Sequence, residues 1–207
     1  MFLSKLTLDP QHPQARRDLG DAYEMHRTLA RAYAPDAITP PPRFLWRLEP
    51  GFHAISSSVL LVQSDVPADW SVLDPMRGYT AEVLGNKPVD LEKLIEAGAR
   101  YRFRLLANPT VTRDGKRYGL SKEDEQLAWI TRQGEKHGFS VLACVRGSSA
   151  RIQSRRGNTG QRIIIQTVAF EGTLEAFDSE HLRLAVRNGL GHGKAWGLGL
   201  FSLARIS

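Results

Sequence analysis

Four polar residues near the N-terminus could together perform acid–base chemistry on a phosphodiester. They are Tyr23, His26, Arg27 and Arg31. On a helix, which advances about 100° per residue, Tyr23 and Arg27 stack four positions apart, and Arg31 follows one turn later. His26 then lies at the margin between this polar stripe and an apolar one. Imidazole can give or take a proton near neutral pH, and guanidinium groups stabilise negative charge on a phosphoryl centre, so this combination suits transesterification of RNA.

The same spacing also allows a purely structural role for His26. A histidine at the edge of an apolar stripe can be satisfied by solvent and by a nearby carboxylate, and Glu24 is such a neighbour. Spacing alone leaves both interpretations of His26 open.

Two other kinds of phosphodiester-cleaving enzyme fit the sequence less well. A cyclic phosphodiesterase uses two His-x-Thr/Ser motifs; His26-Arg27-Thr28 supplies one, and no second histidine is followed two positions later by Thr or Ser. A metal nuclease needs His, Asp and Glu at ligand spacing, and the sequence has no such cluster. We therefore expect an enzyme without a metal or another cofactor.

The element expected to carry these residues is a helix from Gln14 to about Tyr33. Its apolar residues recur at spacings of three and four, and Pro35 closes it. Those apolar residues are Leu19, Ala22, Met25, Leu29, Ala32 and Tyr33. The predicted strands of this half are Phe2 to Leu8, Arg43 to Leu48, Ser57 to Gln63 and Tyr79 to Val83. With a short irregular piece around Trp70, they give the order β-α-β-β-(α)-β.

The second half repeats this order. Tyr101 to Ala107 is predicted as a strand with Arg102 and Arg104 on one face. Ser121 is the expected N-cap of a helix that ends before Gly138. The remaining predicted elements are strands within Phe139 to Ile152, Arg162 to Phe170 and Thr173 to Phe177, a break at Glu171-Gly172, a helix beginning at Asp178 or Ser179, and a closing C-terminal strand.

Two copies of one order predict an α+β fold of two tandem ferredoxin-like domains. Each is a βαββαβ unit, as in RNA-recognition motifs. We place the first domain at residues 1–95 and the second at residues 96–207. Neither contains the aromatic Lys/Arg-Gly-Phe/Tyr signature with which RNA-recognition motifs stack bases, so phosphate and groove contacts are expected to outweigh base stacking.

The positive charge is concentrated in the second half. The net charge is +6; residues 1–95 hold 10 Lys and Arg against 12 Asp and Glu, and the rest hold 18 against 10. Such clustering is the footprint of a polyanion partner, and the preference for arginine favours nucleic acid, although a solvated basic face has the same composition. The residues expected to bind RNA here are Arg102, Arg104, Lys116, Arg117, Arg151, Arg155, Arg156 and Arg162.

Five glycines punctuate residues 189–199, around His192, Lys194 and Trp196. Glycine at this density indicates a backbone that passes close to another group, and phosphate is a common one. The loop follows a predicted helix and precedes a strand, which is the reverse of a dinucleotide-binding fingerprint or a P-loop. We expect His192, Lys194 and the loop amides to contact RNA, and a mobile hinge before an edge strand is the alternative.

Several segments together resemble one family. The helix segment Ala22-Tyr23-Glu24-Met25-His26-Arg27-Thr28-Leu29 and the glycine loop from Gly191 to Leu203 are similar to those of the CRISPR-associated RAMP proteins, and in particular of the CasE family of Cascade subunits. The other similar segments are Arg16 to Leu19, Leu45 to Pro50, Asp69 to Asp74 and Arg102 to Pro109. The likeness covers most of the chain, in order.

This resemblance implies an endoribonuclease that cuts the repeat of a CRISPR precursor transcript beside a hairpin, without metal, and keeps the mature guide RNA within Cascade. A ribose 2′-hydroxyl would attack the adjacent phosphorus, leaving a 2′,3′-cyclic phosphate and a 5′-hydroxyl. The roles it implies are general acid or base for His26, positioning for Tyr23, and charge neutralisation for Arg27 and Arg31. The basic turn from Arg151 to Arg162 corresponds to a family hairpin that contacts the RNA stem. A non-catalytic hairpin-RNA-binding subunit is the alternative.

Composition limits the setting in which such a protein works. A single cysteine, Cys144, excludes a disulfide framework and a Cys-based zinc site. The N-terminus has neither a charged leader nor a long apolar stretch, so we expect no membrane insertion and a cytoplasmic location. The resemblance adds the expected partners, which are the repeat RNA hairpin and other Cascade subunits.

Overall fold

The computed structural model describes residues 1–34, 36, 38–49, 58–156 and 161–206, with side chains left undescribed at 151–156 and 161–164. The chain divides into two compact units. The first comprises Met1–Val89, Ser154–Gln161 and Ala195–Gly197, and the second comprises Asp90–Gln153, Arg162–Lys194 and Leu198–Ser207. The domain boundary expected at residue 95 stays a prediction.

The first unit is built on a four-stranded antiparallel sheet in the order β2-β3-β1-β4. Its elements are β1 (Phe2–Leu8), α1 (Pro13–Gly20), α2 (Ala22–Ala30), β2 (Phe44–Leu48), β3 (Ser58–Ser64) and β4 (Thr80–Pro88). Between β3 and β4 only a short 3-10 turn, Trp70–Leu73, occupies the place of a second helix. This order of strands is that of a ferredoxin-like domain.

The second unit has the same strand order around its own sheet, β10-β5-β9-β8. Its elements are α3 (Leu91–Leu94), β5 (Arg100–Ala107), β6 (Thr110–Arg113), β7 (Lys116–Gly119), α4 (Glu123–Lys136), β8 (Phe139–Arg156), β9 (Gln161–Ala176), α5 (Ser179–Asn188) and β10 (Phe201–Arg205). The predicted fold of two ferredoxin-like units is confirmed. Across the described ranges, no helix combines the length and apolar character that crossing a bilayer requires.

The first helical segment is interrupted, so the prediction of one continuous helix from Gln14 to Tyr33 is wrong. Asp21 has an extended backbone, with φ −139° and ψ 111°, and separates α1 from α2. Its side chain accepts a hydrogen bond from the backbone N–H of Tyr23 at 2.9 Å and so caps α2. A short acidic side chain that bonds to the local backbone competes with helix continuation, which explains the break.

The strand β9 is continuous, so the predicted break at Glu171-Gly172 is also wrong. Gly172 pairs with Phe103 of β5, and a Cβ at Gly172 would overlap the carbonyl oxygen of Ala143. This glycine therefore permits two strands to approach closely and does not end one. Further along the chain the structure adds the hairpin of β6 and β7, whose Asp114-Gly115 turn has φ of 49° and 72°, the conformation typical of a two-residue hairpin turn.

Of the two predicted helix starts in the second unit, the one at α4 is wrong and the one at α5 is confirmed. Ser121 does not cap α4, because the N-cap position is Lys122, whose side chain makes no capping hydrogen bond. Three consecutive acidic residues in the first turn of α4 stabilise that end electrostatically instead. The predicted beginning of α5 at Asp178 or Ser179 is confirmed. Asp178 is the N-cap, and its Oδ1 accepts from the backbone N–H groups of Glu180 and His181 at 3.1 Å.

A buried carboxylate ties α1 to the sheet of the first unit. Asp18 is 1% exposed; its Oδ2 accepts a hydrogen bond from the Tyr79 hydroxyl at 2.8 Å, and its Oδ1 accepts from the Gln14 amide at 2.8 Å. Burial, together with the Asp18 charge and hydrogen bond, raises the pKa of Tyr79, so the hydroxyl remains a donor. This pair lies in the core formed by residues such as Leu6, Met25 and Leu60.

The substitution Tyr79→Phe should lower the free energy of unfolding of the first unit by about 1–3 kcal/mol, because Asp18 would keep its burial and lose a donor. Chemical denaturation followed by tryptophan fluorescence measures the change. Tyr118→Phe, at a half-exposed tyrosine of β7, is the matched control and should leave the transition unchanged. Equal midpoints for Tyr79→Phe and the wild type would contradict a stabilising role for this hydrogen bond.

Candidate functional site

Helix α2 separates its buried and exposed residues sharply. Met25 and Leu29 are 1% and 0% exposed and face the core, whereas Tyr23 is 36% exposed. The guanidinium carbon of Arg27 lies 5.9 Å from the centre of the Tyr23 ring, close enough for a cation–π contact. Tyr23 and Arg27 thus share one exposed edge of α2.

His26 lies half-buried between these two faces. Its ring stacks on Phe44, the first residue of β2, with centroids 4.7 Å apart and an interplanar angle of 14°. Its Nδ1 is buried and makes no hydrogen bond to any residue of the described ranges. Burial lowers the pKa of His26, so the neutral imidazole predominates at neutral pH. A neutral imidazole carries one unprotonated nitrogen and can therefore accept a proton.

The carboxylate of Glu24 is engaged with two arginines, so it is not the partner of His26 that a purely structural role would use. Glu24 Oε2 pairs with Arg17 Nη2 at 2.5 Å and with Arg27 Nη1 at 3.2 Å. Neither contact involves His26. Because Arg27 is paired with Glu24, part of its positive charge is neutralised.

Arg31 has a different environment. It occupies the C-cap position of α2 and is exposed, and no hydrogen bond or ion pair of its side chain occurs within the described residues. A groove of about 830 Å³ runs beside it and is lined by Arg17, Glu24, Arg27 and Arg31, among others. The structure therefore joins Arg27 and Arg31 around one groove. His26 and Tyr23 are not among its lining residues.

Phe44 is a site residue that the sequence did not single out. It contacts both His26 and Tyr33, whose ring also stacks on it at 4.9 Å. Phe44 thereby fixes the plane of the imidazole and shields one of its faces from solvent. Its only sequence signal was its place as an apolar residue at the beginning of a predicted strand, which does not distinguish it from ordinary core.

In the second unit, the arginines of β5 share one face but differ in their partners. Arg104 Nε lies 2.9 Å from Glu171 Oε1, and Arg100 Nε lies 2.9 Å from Glu175 Oε2. Arg102 lies between them and pairs in register with Thr173, and within the described residues its side chain has no ion pair. The predicted RNA-binding pair Arg102 and Arg104 is therefore unequal, because Arg104 is partly neutralised.

The other basic residues fall into two groups. Lys116 and Arg117 are exposed on β7, on the hairpin that follows β5. The backbone of β8 and β9 includes Arg151, Arg155, Arg156 and Arg162, but their side chains and the tip at 157–160 lie outside the described residues. Over the described part of the chain, no three His, Cys, Asp or Glu side chains group in a way that could hold a metal ion.

The glycine loop packs partly on itself and partly on Trp129 and Trp46. Gly199 has φ 88°, and a Cβ there would lie 2.7 Å from the Leu190 carbonyl oxygen; Gly193 has φ 90° and would contact Leu198 at 2.8 Å. Lys194 Nζ donates a hydrogen bond to the Gly191 carbonyl at 2.9 Å. Part of the glycine density therefore serves the fold of the loop itself.

His192 lies on the exposed side of the same loop. An isolated β-bridge joins it to Asn108, at the end of β5. Burial, followed by the positive charges of Arg117, Lys194 and Lys136, lowers its pKa. The predicted RNA-binding residues His192, Lys194 and Arg117 are thus close enough to interact electrostatically.

Solved structures of similar proteins share this fold over their whole length. The structure of CRISPR endoribonuclease Cse3 bound to 19-nt RNA matches with a TM-score of 0.87 and 40% identity, covering 99% of this chain and 100% of that one. A structure of Thermus thermophilus Cse3 bound to an RNA representing a pre-cleavage complex matches with a TM-score of 0.85 and 39% identity, covering 98% of each chain.

Curated relatives agree with this structural match. The CRISPR-associated endoribonuclease Cse3 of Thermus thermophilus is 42% identical over 99% of this chain and 100% of its own length. The CRISPR system Cascade subunit CasE of Escherichia coli is 32% identical over the full length of both chains. The family described as CRISPR associated protein matches residues 1–205. The resemblance found in the sequence is confirmed, and the chain belongs to this CRISPR-associated family.

Proposed function

We propose that this protein is a metal-independent endoribonuclease that cleaves CRISPR precursor RNA within the repeat, beside a stem-loop, and retains the mature guide RNA within Cascade. The observation that carries the proposal is His26: a half-buried imidazole with a lowered pKa and no hydrogen bond to a described residue, on the helix that also bears Arg27 and Arg31. The names of the similar proteins, an endoribonuclease and a Cascade subunit, support the substrate class and the assembly.

His26 acts as the general base in the proposed reaction. The neutral imidazole accepts the proton of the ribose 2′-hydroxyl, and the 2′-oxygen attacks the adjacent phosphorus. The bond between phosphorus and the 5′-oxygen breaks, which leaves a 2′,3′-cyclic phosphate. The 5′-oxygen takes a proton from water to become a hydroxyl, and the imidazolium of His26 returns its proton to the solvent. The lowered pKa favours the base role, because a base must be unprotonated at the operating pH.

Arg31 provides the main charge stabilisation in this proposal. Negative charge grows on the phosphorane oxygens during the attack, and Arg31, which no carboxylate of the described residues pairs with, has its full charge to offer. Arg27 contributes less to this stabilisation, since the carboxylate of Glu24 neutralises part of its positive charge. Tyr23, on the same exposed edge as Arg27, positions the ribose or the phosphate.

The basic residues of the second unit hold the RNA in this proposal. Exposed Arg102, Lys116 and Arg117 contact phosphates, and Arg104 joins them where RNA competes with Glu171. The strand ends that carry Arg151, Arg155, Arg156 and Arg162 would contact the stem. Contacts of this kind position a duplex without reading its sequence.

The substitution His26→Ala should reduce single-turnover cleavage of a repeat hairpin by about a hundredfold or more, because it removes the proton acceptor. Binding of the same hairpin, measured by gel shift or fluorescence anisotropy, should stay within about threefold of the wild type, since the imidazole contributes little of the phosphate contact.

A 2′-deoxy substitution at the cut site should abolish cleavage by the unmodified enzyme. Cleavage that survives either change would refute the mechanism, and wild-type binding without cleavage would favour the non-catalytic alternative.

Arg31 and Arg27 form a matched pair for testing the charge model, because both are on α2 and only Arg27 has a carboxylate partner among the described residues. Arg31→Gln should slow single-turnover cleavage at saturating enzyme by about tenfold to a hundredfold, Arg31→Lys should restore most of the rate, and Arg27→Gln should cost about threefold or less. Equal losses for the two Gln variants would mean that Glu24 does not weaken Arg27 in the complex.

Excess EDTA should leave the cleavage rate unchanged, since the proposed nucleophile is the substrate's own 2′-hydroxyl and the base is an imidazole. The product ends check the same step independently. The upstream fragment should resist a phosphatase that removes only open 3′-monophosphates, and it should become sensitive after acid opens the cyclic phosphate. Loss of activity in EDTA that returns on adding Mg²⁺ would rule out the metal-independent reaction.

A further inference from the structure

A cationic surface lies where the C-terminal end of α4 meets the glycine loop in the second unit. Its members are Arg117 on β7, Lys136 and His137 at the end of α4, and His192 and Lys194 in the loop; we call them the α4–loop cluster. Lys136, Arg117 and His192 are exposed, and His137 is half-buried. Two of these residues, Lys136 and His137, were not among the RNA-binding residues expected from the sequence.

Backbone contacts fix the positions of the two histidines. His137 ends α4, and its N–H donates to the carbonyl groups of Gln133 and Gly134. The carbonyl of Gly138, the next residue, accepts from the N–H groups of Phe177 and Asp178, so the end of α4 is joined to the beginning of α5. On the other side, the bridge between His192 and Asn108 holds the loop against the end of β5.

The charges that face these histidines are positive. Burial is the largest cause of the lowered pKa of His137, followed by Lys136, His181 of α5 and Lys194. For His192, burial is followed by Arg117, Lys194 and Lys136. The carboxylate nearest to His181 is Asp178, and its Oδ2 is already bonded to His181 Nδ1 at 2.7 Å.

We propose that the α4–loop cluster binds an RNA phosphate and that His137 and His192 take up protons when it does so. This inference rests on the proposed function, because it needs RNA as the ligand. The loop packs on α4, because a Cβ at Gly191 would lie 3.2 Å from Trp129 Cζ2, and the basic side chains of the loop, α4 and β7 are within electrostatic reach of one another. A bound phosphate supplies the negative charge that would turn their mutual repulsion into attraction.

The direction of the pH dependence follows from the charges. In the free protein the two imidazoles are mostly neutral at pH 7, because burial and the neighbouring cations disfavour protonation and keep each pKa low. A phosphate beside them favours the protonated form, so each pKa is higher in the complex than in the free protein. The gain in affinity is then fully present below the free-state pKa and is lost as the pH rises through the bound-state pKa. Each unit of increase corresponds to about a tenfold change in affinity.

The test uses the full chain carrying His26→Ala, which removes cleavage and the proton of that imidazole, and a repeat RNA hairpin with a 2′-deoxyribose at the cut site. Affinity is measured from pH 5.5 to 8.5 at constant ionic strength, since salt alone changes RNA affinity strongly. Titration calorimetry at pH 6.5 in MES and in Bis-Tris then counts the protons taken up. We expect affinity to rise about tenfold or more toward low pH, with net uptake of about half a proton or more per complex.

Three further variants in the same background distinguish the effect of proton uptake by the histidines from the effect of the permanent positive charges. His137→Gln and His192→Gln together should flatten the pH dependence and abolish the proton uptake. Lys136→Gln should weaken binding at every pH, while much of the pH dependence remains. It should also reduce by about one the number of counterions released on binding, which the slope of log affinity against log salt concentration measures. His12→Asn, in the first unit, keeps an N-cap acceptor for α1 and should match the His26→Ala parent. Thermal unfolding checks that each variant is folded.

The possible failures are distinguishable. Tight binding that is independent of pH, or a double variant that keeps the full pH dependence, would overturn the inference and leave the proposed endoribonuclease intact. Absence of hairpin binding at every pH would refute the proposed function and this inference with it.

Discussion

The candidate site depends on how α2 divides itself between core and solvent. In a helix of nine residues, Met25 and Leu29 must be buried while Tyr23 and Arg27 remain exposed, so the residue between these faces is necessarily half-desolvated. That residue is His26. The ring of Phe44 covers one side of it and completes the partial burial that lowers its pKa. A hydrophobic contact in the first unit thus belongs to the burial that favours the neutral form of the proposed base, and the electrostatic groups act around that imidazole.

The number of arginines overstates the free positive charge of this protein. Glu24 pairs with both Arg17 and Arg27, and Glu171 and Glu175 pair with Arg104 and Arg100 across β5 and β9. An exposed ion pair of this kind adds little stability, so its main effect is to set which guanidinium groups are committed before RNA arrives. Arg31 on α2 and Arg102 on β5 are among the arginines that no described carboxylate pairs with. The carboxylates therefore select, among similar arginines, those best suited to meet a phosphate.

The sequence predicted the order of the elements and most of the chemistry, because periodicity and residue type are local signals. The two four-stranded sheets and the beginning of α5 beside Asp178 followed from alternation and residue type. The break at Asp21 was missed because the apolar spacing continues through it, and only the backbone geometry reveals that its side chain caps a new helix. Gly172 was misinterpreted for a related reason: a glycine within a strand looks like a breaker until the neighbouring strand is known. The role of Phe44 and the pairing of Glu24 depend on residues far apart or on rotamers, which spacing cannot supply.

Two kinds of histidine environment coexist in this chain, and the causes that lower the pKa differ between them. The pKa of His26 is lowered by burial alone, and a ligand that covers the ring increases that burial. At His137 and His192, neighbouring cations add to burial, and a phosphate compensates the cations while it covers the ring. The physical difference is that desolvation acts on the charged form whatever its neighbours are, whereas repulsion changes sign with the charge that arrives.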